Sequence, residues 1–169
     1  MSMRLVVPLA VAASCLASPA SGQRPVSLPK LELSLLAGPS SYDLSGTGTT
    51  FAVGSEVAYV PVSALYLEAG ITYFEYTTQF GSRNRFIFPE VSVQGALPLG
   101  PVSPYVGGGA GLSLLFSGGN RVDPTLHIVG GIRVRATPEW GARGELRIRA
   151  VDPFGAVTAD FMFGVSRRF

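Results

Sequence analysis

A single cysteine, Cys15, stands in the 169-residue chain, and it lies inside the opening apolar stretch. One thiol cannot make an internal disulfide framework, so burial and hydrogen bonding have to hold the fold. There is also a single histidine, His127. That removes most His-based metal sites and limits acid–base designs to one imidazole. Charge is scarce as well: 14% of the residues are charged against 47% hydrophobic, which excludes a disordered or polyelectrolyte chain. Long apolar runs are missing. No segment approaches the ~18 uninterrupted apolar residues of a spanning helix, and almost no stretch repeats with a helical period.

What is present at the start reads as an export signal over residues 1–22. Arg4 supplies the positive start, Leu5 to Ala13 the apolar run, and Ala20-Ser21-Gly22 a small-residue cleavage site. Ser14-Cys15 makes a poorer lipoprotein site, because Ala12 stands where Leu is usual. Without Arg4, 12 basic residues face 11 acidic ones, a balance that gives no reason to expect nucleic acid or a polybasic membrane footprint. Residues 23–30, broken by Pro25 and Pro29, form a lead-in that would be periplasmic after export.

From residue 31 onward the chain alternates with a period of two. Eight extended stretches can be drawn, near 31–40, 50–59, 64–76, 84–96, 103–116, 124–136, 142–150 and 159–169. The seventh is the cleanest: Ala142, Gly144, Leu146, Ile148 and Ala150 interleave with Arg143, Glu145, Arg147 and Arg149. Pro89 makes the fourth the least regular. The connections alternate too, tight and Pro-bearing after the second, fourth and sixth stretches, and mostly longer and rich in Gly, Ser, Thr and Asn after the odd ones. An aromatic last strand would be an aggregation-prone edge unless it paired on both sides, as the closing strand of a barrel does. The expectation is therefore all-β: an eight-stranded antiparallel up-and-down transmembrane β-barrel over residues 31–169.

The interior of an eight-stranded barrel is just wide enough for side chains, so the face rich in small and charged residues should point inward and the Leu, Ile, Val and Phe face toward lipid. Inward charges are then Glu32, Glu56, Glu68, Glu90, Glu145 and Asp160 against Arg133, Arg135, Arg143, Arg147 and Arg149. Near-equality suggests a paired network, because an unpartnered buried charge costs several kcal/mol. Carboxylates dominate the early strands and arginines the sixth and seventh, so pairing has to cross the lumen. Aromatics near strand ends, Tyr59, Tyr105, Trp140 and Phe169 at one end and Phe51, Tyr73, Phe86, Phe116 and Phe154 at the other, suggest interfacial girdles.

On this pattern, on Ser103-Pro104-Tyr105-Val106-Gly107-Gly108-Gly109 and on the closing string Gly164 to Phe169, residues 30–169 resemble the small OmpA/OmpX-like outer-membrane barrel family. Gly164-Val165-Ser166-Arg167-Arg168-Phe169 is similar to the C-terminal signature of bacterial outer-membrane proteins, whose final aromatic is read by the insertion machinery, so Gly164 and Phe169 are insertion-signal candidates. The resemblance implies the bacterial outer membrane, contact with its lipid and lipopolysaccharide, a monomer and no cofactor. The stretch has no counterpart of the separate peptidoglycan-binding domain of OmpA, so no cell-wall tether is expected.

The function expected from this reading is a structural or surface-interaction role, with the lumen plugged by the Glu/Arg network. Loop residues Tyr42, Phe80, Arg83 and Arg121 are the candidate surface contacts. One alternative is a lipid A-modifying enzyme using His127, similar to the lipid A deacylases with their His-x-Ser pair, although Val129 stands where that serine would be. Another is a small solute channel. The glycine run Gly107 to Gly111 lacks the Lys-Ser/Thr of a phosphate loop and is better read as small residues in a crowded lumen.

Overall fold

The computed structural model describes residues 31–43, 47–77, 81–116, 120–152 and 155–169. The signal over 1–22, the lead-in over 23–30, Phe80 and Phe154 lie outside the described residues. Eight strands follow one another: β1 (Leu31–Asp43), β2 (Thr47–Val62), β3 (Leu65–Thr77), β4 (Arg83–Ala96), β5 (Val102–Phe116), β6 (Arg121–Arg135), β7 (Trp140–Val151) and β8 (Ala156–Arg168). Each pairs antiparallel with its neighbour in sequence, and β8 closes on β1 through Leu35↔Val165 and Leu36↔Gly164. Closure leaves no free edge on the aromatic last strand. At 12 to 16 residues the strands exceed the ~9–11 that a tilted strand needs to cross a bilayer.

Alternation decides which side chains face out. Leu35, Val57, Ile71, Val91, Val106, Ile128, Leu146 and Phe163, one from each strand, are 44% to 69% exposed. Their neighbours Ser34, Glu56, Thr72, Glu90, Tyr105, His127, Glu145 and Met162 are buried. A continuous apolar belt of this kind would be an aggregation surface in water, and it is the surface a bilayer stabilises.

The strands also run further than the polarity pattern suggested. β1 and β2 pair out to Asp43↔Thr47, so most of the Gly/Ser/Thr-rich segment 41–49 is ladder and not loop. Beyond the apolar belt neither face has to be greasy, so alternation fades while backbone pairing continues. Pro89 breaks pairing on one side only: β3 keeps Ile71↔Pro89, while β4 and β5 have no Cα partners between Ile87↔Leu114 and Glu90↔Gly111.

Glycines make room for the long lumen side chains. A Cβ on Gly131 would sit 2.7 Å from the Tyr105 hydroxyl and 2.3 Å from the Gly144 carbonyl oxygen, and one on Gly164 would sit 1.8 Å from the Leu35 carbonyl oxygen at the β8–β1 seam. Large polar groups can therefore lie flat along the inner wall of a narrow barrel, and the seam can close. At the end of the barrel carrying Leu31 and Phe169, termed here the terminal end, the turn before β5 uses Gly100 at φ 67.

Candidate functional site

The interior is divided in two along the barrel axis. Toward the terminal end it is charged, and arginines from β6, β7 and β8 reach carboxylates on β1 to β4, β7 and β8. Arg143 is the hub. Its Nη1 lies 2.6 Å from Glu56 Oε2 and 2.7 Å from Glu68 Oε2, its Nη2 donates to Glu145 Oε2 at 2.5 Å, and its Nε donates to the Tyr105 hydroxyl at 2.7 Å. Tyr105 in turn donates to Glu145 Oε2 at 2.8 Å. Arg147 bridges Glu56, Glu145 (3.0 Å) and Glu90 (3.1 Å), and Arg149 joins Glu90 (2.8 Å), Asp160 and the Thr72 hydroxyl (3.0 Å). The alternation of β7 aims these three guanidinium groups, separated by even numbers of residues, into one lumen.

Arg133 sits between two rings, its Cζ 4.1 Å from the centroids of both Tyr66 and Tyr105. Its Nη2 donates to Glu68 Oε2 at 3.0 Å and to Gln94 Oε1 at 2.8 Å. A planar guanidinium can stack by its faces and hydrogen-bond by its edge at once, which an ammonium cannot. All these groups are buried, so each would carry a desolvation cost of several kcal/mol if unpaired. Pairing of each guanidinium with two or more carboxylates, bidentate from Arg143 to Glu68 at 2.7 and 3.0 Å, offsets that cost.

Four of the residues read from sequence fall elsewhere. Arg135 shares the inward parity of Arg133 but is exposed, because at the last position of β6 it has run past the lumen to the terminal rim. The fifth arginine of the network is Arg168, whose Nε donates to Glu32 Oε2 at 2.6 Å. Its inward parity in β8 could have identified it. Tyr42 is not a surface contact: it is buried in β1, with its ring centroid 4.1 Å from that of Tyr76. Tyr105 and Phe86, read as girdle aromatics, are likewise buried in the lumen.

The other half of the lumen is aromatic, which the sequence reading missed. Tyr42, Phe74, Tyr76, Phe86 and Phe88 stack in succession, with Leu36, Val151 and Met162 around them. The signal was available, since Phe74, Tyr76, Phe86 and Phe88 occupy inward parity on β3 and β4. Arg149 joins the halves, its Cζ 4.9 Å from the Phe88 centroid. His127 is also inside, fully buried, with Nδ1 3.2 Å from Glu90 Oε1 but not aligned for a hydrogen bond.

At the loop end, Arg83 and Arg85 both pair with Glu75 at 2.9 and 3.0 Å, and Arg121 pairs with Asp123 at 2.7 Å and Asp152 at 3.0 Å. These arginines are more than half exposed. Phe169, by contrast, is exposed at the terminal end, where its N–H donates to the Leu31 carbonyl at 3.0 Å.

No protein-family model matches the sequence, and no curated protein matches it. Solved structures do. The chain is similar to Neisserial surface protein A, with 16% identity over 83% of this chain and 97% of that one and a TM-score of 0.72. It is similar to Ail, the attachment invasion locus protein of Yersinia pestis, with 14% identity over 84% and 99% and a TM-score of 0.63. It is also similar to the outer membrane enzyme PagL, with 14% identity over 79% and 97% and a TM-score of 0.51. A fold shared between surface proteins and an enzyme does not by itself specify an activity. The chain thus has the fold of the small eight-stranded outer-membrane β-barrels, the architecture of the OmpA/OmpX-like proteins.

Proposed function

We propose that the protein is a monomeric outer-membrane barrel with a structural or surface-interaction role, its lumen closed by the Glu/Arg network and the aromatic stack. The observation that carries this reading is the reversed polarity of the barrel, with an apolar belt outside and paired charges inside. Residues 1–22 would direct export, and Gly164 to Phe169 would be read by the insertion machinery. The burial of His127 favours this role over a lipid A-modifying enzyme, since an imidazole inside the lumen cannot reach an acyl chain in the bilayer. Contacts with lipopolysaccharide or neighbouring envelope proteins would fall to the exposed loop-end arginines Arg83, Arg85 and Arg121. Because each already has a carboxylate partner, these contacts would be weak.

Arg83, Arg85 and Arg121 replaced together by Ser should leave a barrel that still fractionates with the outer membrane and still shifts in gel mobility on boiling. Envelope permeability and the set of crosslinked neighbours should change. If both stayed as in the parent, the surface-interaction part of the proposal would fall.

A further inference from the structure

We propose that Arg167, Trp140 and Phe169 form a binding site on the outside of the barrel for the phosphodiester headgroup of an anionic glycerophospholipid in the leaflet at the terminal end. This inference rests on the outer-membrane reading and adds a ligand and an address to it.

Arg167 has the outward parity of Phe161, Phe163 and Val165 and is exposed, so it is a cation at the margin of the apolar belt. Its Cζ lies 5.5 Å from the Trp140 ring centroid and 5.0 Å from that of Phe169. Among the described residues it pairs with no carboxylate, unlike Arg168 beside it, which is held by Glu32. Contact with a ring occupies a guanidinium face and leaves its in-plane N–H donors available, in the fork that matches two phosphate oxygens.

The site is preorganised by backbone bonds. Trp140 is the β-ladder partner of Arg167, its N–H donates to Thr137 Oγ1 at 2.9 Å, and its carbonyl accepts from the N–H groups of Ala136 and Thr137, both at 3.0 Å. Phe169 is tied to Leu31 across the β8–β1 seam. The rings would seat against the upper acyl chains while the guanidinium meets the headgroup, the arrangement that amphipathic aromatics favour at a membrane interface. The surrounding rim adds exposed Arg135, with exposed Glu139 as the acid on the adjoining turn. Local charge thus favours a headgroup with net negative charge over a zwitterionic one.

The test uses the refolded barrel in detergent supplemented with phosphatidylglycerol or with diacylglycerol of the same chains, and counts retained lipid by native mass spectrometry. The parent should retain phosphatidylglycerol and not diacylglycerol. Arg167→Gln should reduce that retention about tenfold, the scale of losing one charge-assisted bidentate contact, and Arg167→Lys should fall between the two. Equal retention by parent and Arg167→Gln, each confirmed as folded by its gel shift on boiling, would overturn the site and leave Arg167 a simple interfacial anchor. A parent that failed to insert into any lipid would instead sink the outer-membrane reading.

Discussion

Leu146→Arg should destabilise the lipid-inserted barrel by about 2–4 kcal/mol, the cost of placing an arginine on the lipid face near the bilayer midplane. Leu146 is midway along β7, outward and 44% exposed, with Gly130 and Phe161 as its ladder partners. No carboxylate lies on that face of the neighbouring strands, so a guanidinium there could only snorkel toward an interface or thin the bilayer. Leu146→Ile changes shape without adding charge and should cost little. Urea unfolding in lipid vesicles reads both. An unchanged Leu146→Arg midpoint would mean that the outward and inward faces had been interchanged.

Arg143→Leu should cost about 3–5 kcal/mol, as expected when one partner of a buried ionic cluster is removed and the others remain. Glu56, Glu68 and Glu145 all converge on this guanidinium, and Tyr105 loses the donor to its hydroxyl oxygen. Arg133 and Arg147 would be left to compensate three buried carboxylates. Arg143→Lys keeps the charge but not the fork and should lie between parent and Arg143→Leu. Combining Arg143→Leu with Glu68→Leu should recover part of the loss, because it removes an uncompensated charge along with its partner. A cost that simply added would show that the pair is not coupled, contrary to the contacts at 2.7 and 3.0 Å.

The strand number, the strand facing and the closure were legible because a period of two is a direct consequence of the pleat, and β7 displays it without interruption. Parity also placed Glu56, Glu68, Glu90 and the β7 arginines on the inward face. It could not tell where along the barrel axis the lumen ends. That is why Arg135, two residues beyond Arg133, was counted as buried, and why Arg168 was overlooked although its parity was right. The aromatic half of the lumen escaped for a related reason. Phe74, Tyr76, Phe86 and Phe88 carried inward parity, but Phe86 was read as a girdle residue from its place near a strand end; the stacking of Tyr42 on Tyr76 and of Phe74 on Phe86 and Phe88 puts these rings inside. Strand ends were underestimated at 41–49 because backbone pairing continues where side-chain polarity stops alternating.

The central claim is a barrel that is apolar outside and shut inside, and ion conductance tests the second half with the first as its precondition. Arginine–carboxylate pairs span the lumen from β2 and β4 to β7, and the aromatic stack fills the section toward the loops. Opening a continuous water path would require several buried pairs to be broken together. The purified monomer, inserted into planar bilayers and shown to be inserted by protection of its β-strands from protease, should give no stable single-channel steps at moderate voltage. Reproducible steps of fixed amplitude from that monomer would contradict the account and assign the lumen to solute passage.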